Sequence, residues 1–432
     1  MRTNVLSTHL LLLPGLLVAG LLPLNLQPAP STNHEETVRK QGRLQFLQEY
    51  LAAYGYEYSI RSLRNLKTLR LRGPAIPPTG LKRLEWLPSL RRIHLEGPDY
   101  SDIHVRVISD FPGLRELSLE GVCRGNPTFT NASLQYLAKR FELRTLTIEC
   151  TAITDEGLSY LQNMKELWSL SLISSRIRGS GFVHLRSTRL DNLFIYDQAL
   201  NEDAMQALSL VQTLYAIHLH GVEFPGCSLK QLRKLPELER LSLEDTRLSN
   251  SEIECLGEVV GLRRLRLGPG FTGEGLRALR GMEQLEELSL SFTDFRGPGL
   301  DALVGLKRLK RLDLAQTRIT EVDIQEAARI SSLEELQLDY TEIGDEALQY
   351  LEGHPNLKIL HLPEGGFLTE NGVKSLAKIP ALHTIWLDLQ DVQNNLDSLA
   401  KIKSLRILQI RNTVNKEQKK LIHTRLPYVE VY

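Results

Sequence analysis

LRTLTIECTAITDEGLSYLQNM, Leu143 to Met164, reads as one complete structural unit. Leu146 and Ile148 alternate with Thr147 and Glu149, the period-two pattern of a strand with one apolar face. Ile153, Leu158, Leu161 and Met164 then follow Leu143 at offsets 10, 15, 18 and 21, and the spacing of three in the second half is helical. The unit is therefore strand, turn and short helix. The opening LxxLxL, or its Ile variant, recurs from Leu66, Leu90, Leu114, Leu143, Leu167, Leu190, Leu214, Leu238, Leu262, Leu285, Leu309, Leu333, Leu357, Leu382 and Leu405, fifteen copies in all. Successive starts are 23 to 25 residues apart except Leu114 to Leu143, where the difference is 29 and CRGNP, Cys123 to Pro127, supplies the excess. So regular a period predicts a solenoid, because one such unit cannot bury its apolar face alone and must stack on the next.

Composition narrows the function classes. Lys plus Arg is 52 and Asp plus Glu is 52, so the formal net charge is zero and a globally basic nucleic-acid binder is excluded. With 42% hydrophobic and 24% charged residues the chain is globular rather than disordered. Cys123, Cys150, Cys227 and Cys255 are too few for a disulfide scaffold, and none forms the CxxC pair of a zinc ribbon. Walker, GxSxG, HExxH and dinucleotide-binding motifs are missing. GPGFTGEG, Gly268 to Gly275, lacks the Lys of a phosphate loop and reads as a turn. With the repeats subtracted, no segment remains for a catalytic domain, so the expectation is a non-enzymatic protein with no cofactor and no metal.

The N-terminal segment has a different character. Between Arg2 and Glu35 there is no Lys, Arg, Asp or Glu, and Leu10 to Leu26 is apolar apart from Asn25. Residues 1–30 are expected to be a signal peptide ending near Val18-Ala19-Gly20, or a membrane anchor, with the start of a linker. Either sends the remainder across a membrane, making the protein secreted, periplasmic or anchored. Residues 31–65 are expected to hold the linker and a helical cap over Glu35 to Tyr54, with Leu44, Leu47, Tyr50, Leu51 and Tyr54 on one face. The solenoid is assigned to 66–426, and PYVEVY, 427–432, to a truncated capping strand.

TAITDEGLSYL (Thr151 to Leu161), TRITEVDIQEA (Thr317 to Ala327) and TEIGDEALQYL (Thr341 to Leu351) make the chain resemble the leucine-rich repeat family, in its bacterial TxITDxGLxxL variety close to the cysteine-containing subclass. The resemblance spans Leu66 to Tyr432. It implies an α/β solenoid, a horseshoe of about fifteen coils with a parallel concave sheet and short convex-side helices, and protein binding on the concave face. Thr151, Thr246, Thr293, Thr317, Thr341 and Thr413 stand where the family often buries Asn or Cys, and a hydrogen-bonded ladder between coils is expected from them.

In such a sheet, offsets 2, 4 and 6 of each repeat face the concavity, and neighbours along a track are about 4.8 Å apart. Arg240, Arg264, Glu287, Arg311 and Glu335 at offset 2 read as a salt-bridge ladder. Glu96, Glu120 and Glu149 at offset 6 line up with like sign, awaiting a cation or a basic partner. Between these groups Ile173, Phe194, Tyr196, His218 and His220 form an apolar and aromatic patch, flanked by Arg240, Arg264 and Arg266. A central aromatic cluster with a charged rim is the composition of an interaction hot spot, and exposed rings stacking only on one another is the competing explanation. His218 and His220 lack a third metal ligand. The partner expected is a protein, with carbohydrate or peptide as alternatives, or none if the solenoid is an envelope or extracellular spacer. Contact with the membrane is assigned to the N-terminal segment alone.

Overall fold

A computed structural model describes residues 32–432 apart from 124, 125, 224, 366 and 367. The proposed leader, residues 1–30, lies outside the described residues. Sixteen strands form one parallel sheet in strict sequence order, from Thr68–Leu71 to Glu430–Val431. Every neighbour pair is in the register set by the repeat: Arg92 faces Glu116, Glu116 faces Thr145, and Thr145 faces Ser169. The α/β solenoid expected from the period is the fold. Apolar residues at offsets 3 and 5, such as Leu146 and Ile148 or Leu170 and Leu172, are fully buried and join one continuous core.

The convex side alternates short α-helices with 3-10 turns, as in Asn131–Leu137 and Asp155–Leu161. In a 3-10 turn, residues three apart eclipse one another. This is why Leu158 and Leu161 are buried together while Glu156 is exposed. The Asp of TxITD has a job in the next coil: the Asp155 carboxylate accepts the backbone N–H groups of Arg178, Gly179 and Gly181, capping the turn Ser180–Ser187. Gly179 has φ 109° there, and a Cβ would fall 2.2 Å from Ala204 Cβ, so glycine is required. Asp345 repeats the device, accepting from Thr369 N, 2.8 Å away, and Gly372 N, 3.2 Å away.

The threonine column behaves differently from expectation. The hydroxyls of Thr293, Thr317 and Thr341 donate to the carbonyls of Leu290, Leu314 and Leu338, three residues back in their own coil. Thr246 alone of these six connects coils, donating to Leu219 O at 3.1 Å and accepting from Val222 N at 3.2 Å. Thr413 is exposed. At Thr293, Thr317 and Thr341 the column therefore closes its own turn, and only at Thr246 do these bonds lace neighbouring coils.

All four cysteines are paired, Cys123 with Cys150 and Cys227 with Cys255, at Cα separations of 4.5 and 5.5 Å. Each bridge joins adjacent coils. A spacing of 27 or 28 residues carries no motif by itself and becomes meaningful only as one coil period plus a few residues. At the N-terminal end, helix Thr32–Ala52 buries Leu44, Leu47 and Leu51 against the first coil. At the C-terminal end, helix Lys416–Arg425 precedes the short strand Glu430–Val431, which pairs with Ile407–Ile410.

Candidate functional site

Five-residue strands run from Arg92–Glu96 to Ala216–His220, and three-residue strands from Arg240–Ser242 to Ile359–His361. The concave side chains fall into four zones along this sheet. In the first, Glu96, Glu120 and Glu149 are direct register neighbours. Arg72 pairs with Glu96. Among the described residues neither Glu120 nor Glu149 has an ion-pair partner, and burial, reinforced by the adjacent carboxylates, raises the pKa of both.

The second zone holds the rings. Phe194 stacks on His218 with centroids 4.5 Å apart and planes 7° from parallel, and Tyr196 lies 5.4 Å from His220. Ile173 faces Tyr196 in register. From their offsets these rings are expected to be large exposed surfaces. They are half-buried instead, because each covers part of the next. Burial lowers the His218 pKa, disfavouring the charged imidazolium beside the phenyl face. His220 Nε2 lies 3.0 Å from Asp245 Oδ2, while its Nδ1 is buried with no hydrogen-bond partner. Among the described residues no group of three His, Cys, Asp or Glu side chains is arranged to hold a metal ion.

The third zone is basic. Arg240 and Arg264 oppose each other in register, and Ser242 opposes Arg266. Arg264 reaches Glu287 at 3.2 Å, Arg266 reaches Glu244 at 2.7 Å, and Arg311 bridges Glu287 and Glu335, so the offset-2 ladder forms from Arg264 onward. Arg240 stands apart from it. Its guanidinium lies over the Tyr215 ring, 5.0 Å from the centroid, its Nε is buried without an acceptor, and among the described residues it has no ion pair. A hollow of 390 Å³ opens there, between His218, Arg240, Ser242, Arg264 and Arg266.

The fourth zone is not among the residues expected from the sequence. His361 stacks on Trp386 at 4.7 Å and sits between Glu335 and Asp339. Arg411 is clustered with Asp339, Glu364 and Asp388. His361 and Trp386 occupy offset 4 of consecutive repeats, so the rule that located Phe194 and His218 was sufficient to find them.

Residues 330–351, one repeat of this ladder, match the family model described as Leucine Rich repeat. The fold is that of a leucine-rich repeat solenoid. Among solved structures, the mouse RP105/MD-1 complex is similar in fold, with a TM-score of 0.50 and 20% identity over 72% of this chain and 57% of that one. An internalin of Listeria monocytogenes matches with a TM-score of 0.44 and 17% identity, covering 95% of this chain and 98% of its own. A leucine-rich repeat protein of Leptospira interrogans gives 0.42 and 17%, over 86% and 94% respectively. No curated protein sequence matches the chain. The leucine-rich repeat fold suggests protein–protein interaction, since its coils build an extended concave surface. Among the described residues no helix is long and apolar enough to cross a membrane.

Proposed function

We propose that this leucine-rich repeat protein is non-enzymatic, is exported or anchored by its N-terminal segment, and binds a protein partner on its concave face. The centre of that face is the patch of Ile173, Phe194, Tyr196, His218 and His220 together with Arg240, Arg264 and Arg266. One observation carries the reading: Arg240 and Arg264 are like charges held side by side, and among the described residues Arg240 has no carboxylate paired with it. Like charges directly opposed are destabilising, so an acidic side chain of a partner placed over them would gain what the free protein lacks. At the other end of the face, Glu120 and Glu149 have no ion-pair partner among the described residues, Arg72 and Arg70 only partly offsetting the charge at Glu120, and suit a basic group. Two disulfides support export, because such bonds persist in oxidising compartments.

The test compares affinity capture of partners by the soluble fragment, residues 31–432, with capture by Phe194→Ala/Tyr196→Ala and by Arg240→Ala. Loss of about 2 kcal/mol of binding with unchanged folding supports the central patch. The spacer reading draws on the stacking of Phe194 upon His218 and predicts the reverse, lost stability with no lost binding. For export, Leu12→Arg with Leu17→Arg abolishes membrane targeting, since charge in the apolar segment opposes insertion. A cytoplasmic location for the parent protein contradicts this.

A further inference from the structure

We propose that the C-terminal end of the concave face carries a second binding site, a hollow that accepts a lysine or arginine side chain from a protein partner. The inference rests on the protein-binding reading above but not on its central patch.

The first observation is backbone geometry. At offset 7, where each strand turns into its loop, the chain adopts a left-handed conformation at Cys150, Ser174, Asp197, Asp245, Phe292, Gln316 and Tyr340. Small or polar residues take this conformation with least difficulty, and a bulky ring there is a genuine outlier. Phe292 has φ 58° and Tyr340 φ 55°. Their side chains are 66% and 64% exposed, so folding gains little from burying either ring. Hydrogen bonds hold the turns in place: Phe292 N donates to Ala315 O at 3.1 Å, Gln316 N to Asp339 O at 2.8 Å, and Tyr340 N to a Glu364 carboxylate oxygen at 2.6 Å. Strain retained at exposed aromatic positions points to a ligand.

The second observation is what the rings border. Phe292 and Tyr340 stand two coils apart, about 10 Å, on the rim of a 330 Å³ hollow walled by Trp386 and lined by Asp313, Asp339 and Glu364. Against these three carboxylates the lining supplies one arginine, Arg411, and His361. Negative charge is therefore in excess whether or not the imidazole is charged. Asp313 accepts only from neutral donors, the Ser289 hydroxyl at 2.8 Å and Ala315 N at 3.0 Å, and among the described residues it has no ion pair. Glu364 is already engaged, its Oε1 ion-paired with Arg411 Nε at 3.2 Å and its other oxygen accepting from Tyr340 N, so Asp313 is the lining carboxylate without a cation.

Aromatic side chains on the rim, with carboxylates that outnumber the cations lining the hollow, are complementary to one chemical group, an organic cation on a flexible stem. An acidic side chain would meet like charge. A purely apolar one would desolvate Asp313 without supplying a cation.

The probe is a fluorescein-labelled acetyl-(Gly-Arg)3-amide peptide, followed by anisotropy against the full chain, with the corresponding Gly-Glu peptide as control. The arginine peptide is expected to bind and the glutamate peptide not to. Phe292→Gly with Tyr340→Gly removes both rings while suiting the left-handed backbone, so the urea midpoint should hold or rise as affinity falls at least five-fold. Asp313→Asn should weaken binding at least three-fold. Phe194→Ala/Tyr196→Ala should leave peptide binding unchanged, which separates this site from the central patch. The proposal is overturned if the arginine peptide does not bind, if the glutamate peptide binds as well, if the glycine double variant or Asp313→Asn keeps the parent Kd, or if only the Phe194/Tyr196 variant loses the peptide.

Discussion

Arg411 places its Nη2 2.6 Å from Asp339 Oδ1, across 72 residues and three coils of the sheet. Its Nε donates to the same oxygen at 3.1 Å, and the Leu362 carbonyl takes a further bond at 2.5 Å. Glu364 lies 3.2 Å and Asp388 3.7 Å from the guanidinium, so one cation serves carboxylates from three successive coils. Only 13% of its side chain is exposed.

Removing that cation leaves the carboxylates buried together. Arg411→Met should cost about 3 kcal/mol or more, since breaking one side of a buried ion pair strands the other. Arg411→Lys should restore little, because an ammonium lacks the planar fork that bonds Asp339 and the Leu362 carbonyl at once. Urea unfolding measures both, and a parental midpoint for Arg411→Met would refute the network's contribution.

His361 makes the same region sensitive to pH. Burial opposes its charged form, but hydrogen bonding and charge from Asp339 and Glu335 outweigh burial and raise its pKa. A histidine whose pKa is raised on folding stabilises fully below its unfolded value, about 6.5, and loses that contribution as pH rises through the folded value. His94, His104, His218 and His354 oppose this trend, because burial lowers the pKa of each. The isolating measurement is therefore the stability difference between parent and His361→Gln, which should be larger at pH 5.5 than at pH 8. Equal differences at the two pH values would show that the imidazolium contributes nothing.

How much of this was legible in the residues depends on whether the repeat period reaches them. The period gives strand positions, register and inward leucines together, so Leu146 and Leu170 could be placed as core neighbours from spacing alone. It also aligns Phe194 with His218. It does not say that two rings 4.5 Å apart hide one another, which is why the patch reads as exposed in the sequence and half-buried in the fold. Pairings that skip coils are invisible to it, as with Arg411 and Asp339. The direction of a hydroxyl is equally hidden: Thr317 and Thr246 share an offset, yet one bonds within its coil and the other across coils.

Leu241 gives the direct test of register. It sits at offset 3, 2% exposed, between Ile217 and Leu265. Leu241→Ala should cost about 2 to 5 kcal/mol through lost burial and the cavity left behind. The next residue, Ser242, is on the concave track but buried beside His218 and Arg266, so it is a poorer silent control than its offset suggests. Ser169, half-buried at offset 2, is better, and Ser169→Ala should stay within about 0.5 kcal/mol of the parent. An unchanged urea midpoint for Leu241→Ala would contradict the inward assignment.

The two disulfides should stabilise the solenoid where its neighbouring coils meet. Cys227 and Cys255 lie on the adjacent convex segments Gly226–Lys234 and Asn250–Leu256, closing a loop of 28 residues. Loop-closure entropy for that length corresponds to about 3 to 4 kcal/mol in the unfolded-chain account. Cys227→Ser with Cys255→Ser should therefore lower the thermal midpoint measurably, and reductant should shift the parent but barely move a variant with all four cysteines replaced. Because each bridge spans only one coil boundary and stability in a stacked repeat is largely a sum of neighbour terms, the losses from the two bridges should add when both are removed. A parent protein indifferent to reductant, with thiols titrating in the native state, would show that the pairs are not bonded and would withdraw their support for an oxidising compartment.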